Sequence, residues 1–205
     1  MSPTATRSRE EKYDERRTQL AVSALATLGE LGYARTSLRE IAQNSEFTHG
    51  VVHYYFKDKI DLITHCVRYY KTQCATRYDE LTATSTSADE LRERFADKLV
   101  ETMRDESSMH RLWYDLRTQG MFEEQLRPDV LAIDETLQQM IWRIVERYAD
   151  LGGTSPALDP TTSYAVLDGL FEKALLRHLA GDESAAGFLR TQASVLLPML
   201  VRSPA

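Results

Sequence analysis

Two histidines four residues apart, His49 and His53, are the pair in this 205-residue sequence whose spacing best suits metal chemistry. On a helix they would share one face, as the two histidines of a zinc protease do. That pattern needs a glutamate directly after the first histidine, and Gly50 stands there instead. A di-iron carboxylate site needs two Glu-x-x-His pairs, and this sequence has only Glu46-Phe-Thr-His49. We therefore predict no metal, no cofactor, no catalytic residue and no enzymatic activity.

The two cysteines, Cys66 and Cys74, lie on what the sequence pattern predicts to be one helix. Their separation along it, roughly 12 Å, is too long for an intrachain disulfide. Free thiols suit a reducing compartment. The sequence has no apolar run of about 18 residues, and its start lacks the apolar core of a signal peptide. We expect a cytoplasmic protein with no membrane segment.

These residues belong to a chain in which apolar side chains recur every three or four positions, which predicts an all-α fold. Residues 1–12 are polar and lack that period, so we expect them to form a flexible N-terminal arm. A stripe from Leu20 to Leu31 then indicates a first helix. Gly32 is well placed to end that helix in a left-handed conformation.

Two short helices and a long one are expected next. Ser37 and Glu40 have the spacing of a capping box, which starts the second helix. Thr48 can cap a third short helix, and Asp58 can start a long fourth one that runs toward Tyr78. Three short helices with a turn of about four residues between the second and the third are typical of proteins that read the DNA major groove.

The charge of the chain is distributed unevenly. Residues 1–78 carry 12 Lys and Arg against 9 Asp and Glu, a net charge of +3, whereas residues 79–205 carry 13 against 22, a net charge of −9. DNA attracts positive surfaces, so a basic front and an acidic remainder favour nucleic-acid binding by the N-terminal part.

The segment from residue 14 to residue 65 closely resembles the signature of the tetracycline-repressor (TetR) family. The match is carried in order and spacing by Gly32-Tyr-Ala-Arg-Thr-Ser-Leu-Arg-Glu-Ile-Ala42 and by Phe47-Thr-His-Gly-Val-Val-His-Tyr-Tyr-Phe-Lys-Asp-Lys-Ile-Asp-Leu62. The resemblance implies a helix-turn-helix DNA-binding domain at residues 13–60. It also implies a helical bundle for ligand binding and dimerisation at residues 61–205.

Two positions depart from the family pattern. Glu46 stands where the family has a glycine, so either Glu46 adopts a left-handed conformation or the turn has a different shape. His53 stands where the family has a tyrosine, so a contact of that tyrosine does not carry over.

The exposed side of the third helix would present its side chains to base edges, and Gly50 would permit close approach. The resemblance implies that Arg39 reaches a base edge and that Lys59 holds the DNA backbone, roles that suit a planar guanidinium and an ammonium. The predicted DNA-binding residues are Ser37, Arg39, Thr48, His49, Gly50, Val51, His53, Tyr54, Tyr55 and Lys59.

The last two helices are apolar around more of their circumference than one core face requires, which indicates a partner. The segment Tyr164–Ala180 resembles the penultimate helix of the family, and the resemblance implies that it forms an isologous four-helix interface together with Ala185–Val201. The predicted dimer residues are Leu167, Leu170, Phe171, Ala174, Phe188, Leu189, Gln192 and Leu196.

A small-molecule pocket is expected among the helices between about residues 65 and 175. Aromatic walls and one cation would line it, although aromatic residues at helical spacing also fit a plain core, and Arg117 could instead pair with Glu123 or Glu124. The predicted ligand-binding residues are Tyr69, Trp113, Tyr114, Arg117, Met121, Trp142 and Phe171.

The resulting hypothesis is a one-component transcriptional regulator, a repressor that binds a palindromic operator as a homodimer and is released by a small-molecule effector. The fourth helix would couple the two sites, because it starts at Lys59 and passes Tyr69. The alternatives are a transcriptional activator, and a helical dimerising scaffold or enzyme that has lost operator binding.

Overall fold

The computed structural model describes residues 8–203, and for residues 71–73 it describes the backbone alone. This part of the chain is helical, apart from its loops and one isolated bridge between Pro156 and Val201. The all-α prediction is therefore confirmed. Within the described residues, no helix is both long and apolar enough to cross a membrane. The helices are α1 (Arg9–Arg35), α2 (Leu38–Gln43), α3 (His49–Tyr55), α4 (Lys59–Cys74), α5 (Asp79–Thr84), α6 (Ala88–Asp105), α7 (Ser107–Gln119), α8 (Arg127–Leu151), α9 (Pro160–Leu179) and α10 (Ala185–Met199).

The first helix begins earlier than the sequence predicts. Ser8 accepts a hydrogen bond from the backbone N–H of Glu11 (3.0 Å), and the Glu11 carboxylate accepts one from the backbone N–H of Ser8 (2.6 Å). This capping box starts α1 at Arg9, so residues 9–12 are helical where an arm was expected. The rest of that arm, residues 1–7, lies outside the described residues.

Gly32 has the predicted positive φ, but it kinks α1 and does not end it, because the helix continues to Arg35. Gly32 has φ 77° and ψ 170°, which interrupts α1 before its last turn. Among the described residues, only glycines have positive φ, so Glu46 is not left-handed and the turn after α2 has a different shape. In that turn the Ser45 hydroxyl accepts a hydrogen bond from the backbone N–H of Phe47 (3.2 Å).

The chain divides into two compact units. The first comprises the residues up to Tyr70 together with Asp115–Val130, and the second comprises Lys71–Tyr114 together with the residues from Leu131 on. The first unit therefore includes the end of α7 and the segment after it, in addition to α1, α2, α3 and most of α4. The fourth helix ends at Cys74 and not near Tyr78, which instead precedes α5.

Each unit has its own buried side chains. In the first unit Leu20, Leu28, Ile41 and Phe56 are fully buried, and they come from α1, from α2 and from the residue after α3. In the second unit α6, α9 and α10 pack together. Both cysteines are buried and free, and burial raises the pKa of the Cys66 thiol, so Cys66 is an unreactive core thiol.

Candidate nucleic-acid interface

Helix α3 begins where the sequence predicts. The Thr48 hydroxyl accepts a hydrogen bond from the backbone N–H of Val51 (3.4 Å), which satisfies one of the free amides at the helix start. Val52 in α3 and Phe56 directly after it are completely buried. These two anchors fix the rotation of the helix, and the side that faces away from them is exposed. The exposed residues are Thr48, His49, Gly50, His53 and Tyr54.

The two histidines of α3 contact each other. Their Nε2 atoms are 3.1 Å apart and their rings meet edge to face, with centroids 4.4 Å apart. Both rings are exposed, so they form one polar ridge on the surface of α3. No group of three or more His, Cys, Asp or Glu residues suited to a metal occurs within the part of the chain that the structure describes.

Gly50 is a glycine that the fold does not require. A Cβ atom built at Gly50 would have no heavy atom within 4 Å, and the φ of this residue is negative, as in any helix. Val51, the next residue, is half-buried and offers only part of its side chain to the surface. The absent side chain at Gly50 leaves room for another molecule to approach the α3 backbone closely.

Helix α2 starts with the predicted capping box. The Ser37 hydroxyl accepts from the backbone N–H of Glu40 (3.3 Å), and the Glu40 carboxylate accepts from the Ser37 backbone N–H (2.7 Å) and hydroxyl (2.5 Å). These hydrogen bonds to Ser37 lower the pKa of Glu40. The Ser37 side chain therefore serves the cap in this structure.

Arg39 points away from the core because its neighbours Leu38 and Ile41 are buried. It borders a cleft of about 420 Å³ between α2 and α3. Gln43, one helical turn after Arg39, is also exposed and lines this cleft, although it is not among the residues predicted from the sequence. The i, i+4 spacing from Arg39 is the signal that would have found it. The cleft is lined by Arg39, Ala42, Gln43, Phe47, Thr48 and His49.

The two tyrosines at the end of α3 belong to an aromatic cluster. Tyr54 is 68% exposed, and its ring meets that of Tyr55 edge to face at 5.0 Å. Tyr55 is half-buried, and its ring lies 4.8 Å from that of Tyr13 in α1. Tyr54 is therefore the better placed of the two to meet a partner with its hydroxyl.

Lys59 lies against α1. Its ammonium donates a hydrogen bond to the Tyr33 carbonyl and sits 3.8 Å from the centre of the Tyr33 ring. Burial lowers the pKa of Lys59, while the carboxylates of Asp115 and Glu40 oppose that shift. An ammonium has three donors, so the bond to Tyr33 leaves capacity for a phosphate.

The backbone of Tyr33 in α1 makes a second hydrogen bond, on the opposite side from Lys59. The Asp115 carboxylate accepts a hydrogen bond from the backbone N–H of Tyr33 (2.6 Å), directly after the kink at Gly32. Tyr33 is thus fixed through its N–H by α7 and through its carbonyl by Lys59 of α4. This clamp is absent from any local sequence pattern, because Asp115 is 82 residues from Tyr33.

The predicted ligand residues fall in both units. Tyr69, Arg117 and Met121 belong to the first unit, in which Met121 is 70% exposed. Of the four in the second unit, Trp113 and Phe171 are buried and Trp142 is half-buried. The fourth is Tyr114.

Polar groups accompany these aromatic residues of the second unit. Tyr114 donates a hydrogen bond to the Asp168 carboxylate (3.0 Å), and the buried indole nitrogen of Trp113 has no hydrogen-bond acceptor among the described residues. His110, which no sequence pattern singles out, lies 4.7 Å from Phe171, ring to ring. Burial, assisted by Arg77, lowers the pKa of His110 to about 3, so this histidine is neutral.

The predicted dimer residues divide into two groups. Leu167, Phe171, Ala174 and Leu189 are buried in the core of their own unit, so they are not available to a partner in this structure. The other four are half-buried: Leu170, Phe188, Gln192 and Leu196. The apolar side chains that α9 and α10 leave exposed are Val166, Leu176, Leu179, Val195 and Met199.

Comparison with protein-family models finds one match to the part of the chain that contains these helices. The model of the family described as "Bacterial regulatory proteins, tetR family" matches residues 21–66, which span most of α1 and continue through α3 into α4. No curated protein sequence matches the chain.

Solved structures match over nearly the whole chain, at an identity that shows the fold alone. A TetR transcription regulator from Haloarcula marismortui is 18% identical, with a TM-score of 0.73, over 92% of this chain and all of its own. A putative transcriptional regulator from Saccharomonospora viridis, solved with choline, is 19% identical, with a TM-score of 0.71. The match covers 93% of this chain and 100% of that regulator. FadR from Bacillus subtilis, solved with stearoyl-CoA, is 18% identical, with a TM-score of 0.68, over 92% and 99%.

Proposed function

We propose that this chain, which belongs to the TetR family of bacterial regulatory proteins through its N-terminal domain, is a repressor that binds a palindromic operator as a homodimer and leaves it when a small molecule binds. The observation that supports this most is the exposed side of α3. It carries hydroxyl and imidazole groups on a short helix that two buried residues hold in one orientation. A helix of this kind fits the major groove.

Each exposed group has a role that its chemistry allows. Thr48, His49 and His53 would meet base edges, and Gly50 would let the α3 backbone approach the DNA. Arg39 would read a guanine from α2 through its two parallel N–H donors. The remaining predicted contacts would be to phosphates, through the hydroxyl groups of Tyr54 and Tyr55, the Lys59 ammonium, and Ser37 at the start of α2.

Selection of bound duplexes from a random DNA library tests this proposal. Two α3 helices related by a two-fold axis read half-sites about one helical turn apart, or a multiple of that distance. We therefore expect an enriched inverted repeat with such a spacing. A library that shows no enrichment after several rounds, with folded protein, would exclude operator binding.

The homodimer would form through α9 and α10. Their exposed apolar side chains, Leu176 (63% exposed) and Met199 (65% exposed) foremost, resemble the centre of an isologous interface more than a solvated surface. The half-buried residues Leu170 and Leu196 would complete that interface. The predicted dimer residues that are buried would pack in the core beneath that interface and would not contact the partner.

The effector would bind among the aromatic residues of the second unit. Trp113 offers a buried N–H without a partner among the described residues, which is the kind of group that fixes a ligand by one hydrogen bond. Regulators with this fold have been solved with stearoyl-CoA and with choline, so the fold admits chemically different ligands.

Helix α7 would transmit the effector signal together with α4. Trp113 and Asp115 are two residues apart on α7, and Asp115 clamps Tyr33 beside the kink of α1. A ligand that shifts Trp113 would therefore disturb the clamp. Linkage requires that the operator weaken effector binding by the same factor, about 5–150-fold for couplings of about 1–3 kcal/mol. We expect a thermal-shift hit to lose affinity by this factor when the operator is added, and equal affinity with and without the operator would refute release by that ligand.

A further inference from the structure

The first turns of α1 carry a stripe of positive charge. Arg9, Lys12 and Arg16 are exposed, and at about 100° per residue their directions fall within about 60° of one another. Of the acidic residues in the same turns, Glu11 and Asp14 point to the other side of the helix, whereas Glu10 and Glu15 lie at the flanks of the stripe. The stripe itself therefore presents three cations side by side.

This stripe borders α3. Arg9 and Lys12 line a cleft of about 540 Å³ whose other side is formed by Tyr54 and Tyr55. Tyr13 and Glu10 complete its lining. The cleft is therefore continuous with the exposed side of α3, through Tyr54.

Arg16 extends the stripe to the turn before α3. Its guanidinium lies 4.5 Å from the centre of the Phe47 ring, and it donates a hydrogen bond to the Gln19 side chain (2.8 Å). Phe47 is buried and directly precedes Thr48, the residue that caps α3. Arg16 is therefore held beside the start of α3.

A cap and ring contacts hold the first turns of the helix that carries the stripe. The capping box of Ser8 and Glu11 fixes the start of α1, and the Tyr13 ring packs on Tyr55 at 4.8 Å and on Tyr54 at 6.2 Å. Cations on such a helix bind phosphates with less loss of conformational freedom than cations on a flexible arm.

We infer that Arg9, Lys12 and Arg16 form a second DNA-contacting surface, which binds backbone phosphates that flank the groove entered by α3. This inference rests on the proposed function, because it names further contacts of the same operator complex. The charge of the stripe complements that of DNA, and its continuity with α3 places it at the same duplex. Phosphate contacts position a protein on DNA without reading its sequence, so the stripe adds affinity and no base preference.

Replacement of all three cations tests the inference: Arg9→Gln, Lys12→Gln and Arg16→Gln in one variant. Its matched control is Arg104→Gln, Arg111→Gln and Arg202→Gln, three exposed cations of the second unit. Both variants change the net charge equally. Affinity for the selected inverted repeat is measured over a salt series, and hydroxyl-radical footprints are compared at one salt concentration.

The stripe variant should show a shallower dependence of log K on log salt, by about 0.9 for each phosphate that it no longer binds. Its footprint should lose protection at the flanking backbone, while its preferred sequence stays the same. The control should match the wild type in all three respects. Lys12→Gln alone should reduce the slope by about 0.9 per protomer, which keeps the test valid if the triple variant does not fold.

The outcomes separate the two proposals. A wild-type protein that binds no duplex specifically refutes the proposed function, and the inference with it. A wild type that binds an inverted repeat, with a stripe variant that matches the control in slope and footprint, refutes this inference alone.

Discussion

Arg39 shows how buried neighbours determine the use of a single residue. Leu38 and Ile41 are buried, so Arg39 is turned toward the cleft beside α3 and stays exposed. Its guanidinium can therefore meet a base edge while the protein interior stays packed as it is. We therefore expect a substitution of Arg39 to affect DNA recognition and not folding.

Arg39→Ala should weaken binding to the preferred operator by about 1–3 kcal/mol and relax the preference at one base pair of each half-site. The physical reason is that alanine cannot replace the bidentate hydrogen bonds of the guanidinium to one base. Affinity is measured for the operator and for duplexes with single substitutions. Arg104→Ala, an exposed cation of the second unit, serves as the control. A uniform loss across all duplexes would show that Arg39 contacts phosphate instead.

His110 makes the second unit sensitive to acid. Burial, and then the charge of Arg77, lowers its pKa to about 3 from an ordinary value near 6.5. Arg77 itself is paired with Glu106 (2.5 Å). The unfolded chain binds a proton at His110 below about pH 6.5, whereas the folded chain does not until about pH 3. Acidification through that interval therefore favours the unfolded state.

The free energy of unfolding should fall by up to about 1.4 kcal/mol per pH unit from this group, between about pH 6 and pH 4. His110→Gln lacks the titrating ring, so its stability should fall less steeply over that interval. Denaturant unfolding of both proteins at several pH values gives the difference. Parallel curves would show that His110 is protonated in the folded state.

At the scale of elements, two glycines have opposite roles. Gly32 has a positive φ, and a Cβ there would approach the Asp115 carboxylate to 3.1 Å. Gly50 lies in α3, where a Cβ would meet nothing within 4 Å. The first glycine is needed for the kink of α1. The second leaves the surface of α3 uncovered by a side chain.

Gly32→Ala should lower the free energy of unfolding by about 1–3 kcal/mol, because alanine is strained at that φ. Gly50→Ala should raise it by up to about 1 kcal/mol, because alanine is the better helix former. The same Gly50→Ala change should weaken operator binding about tenfold, or about 1.4 kcal/mol, because the methyl group occupies the space of close approach. An unchanged operator affinity would show that the DNA does not approach α3 at this point.

The local features of these elements could be predicted from the sequence, and the distant ones could not. The capping residues Ser37 and Thr48 and the positive φ of Gly32 follow from rules that act over three or four residues, although α1 kinks at Gly32 and does not end there as predicted. The Asp115 clamp on Tyr33 joins residues far apart in sequence, so no local sequence pattern predicts it. The start of α1 was missed because a capping box at Ser8 and Glu11 lies in a polar segment without apolar periodicity.

The predicted interface residues on α9 and α10 show a second limit of prediction from the sequence. These helices are apolar around most of their circumference, so the sequence indicates a partner but not which side faces it. The structure buries Leu167 and Leu189 in the core and leaves Leu176 and Met199 exposed. Only the packing of the unit makes that distinction.

At the scale of the whole molecule, the proposed assembly requires those exposed residues. Leu176→Glu should reduce the dimer population, because an isologous contact places the charge at the interface twice. Leu131→Glu is a matched control, since Leu131 is 61% exposed on α8 and Leu176 is 63% exposed on α9. Light scattering measures the mass of both variants. A Leu176 variant that stays dimeric while Leu131→Glu dissociates would move the interface to α8.

If the chain binds its operator as a dimer, affinity for the operator should depend on both half-sites. The selected inverted repeat is compared with the same duplex in which one half-site is scrambled, at fixed salt, by fluorescence anisotropy. If two α3 helices read the two half-sites together, scrambling one should reduce affinity at least tenfold, because each mismatched base pair costs about 1–3 kcal/mol. Equal affinity for the two duplexes would show that the chain does not recognise a palindrome as a dimer.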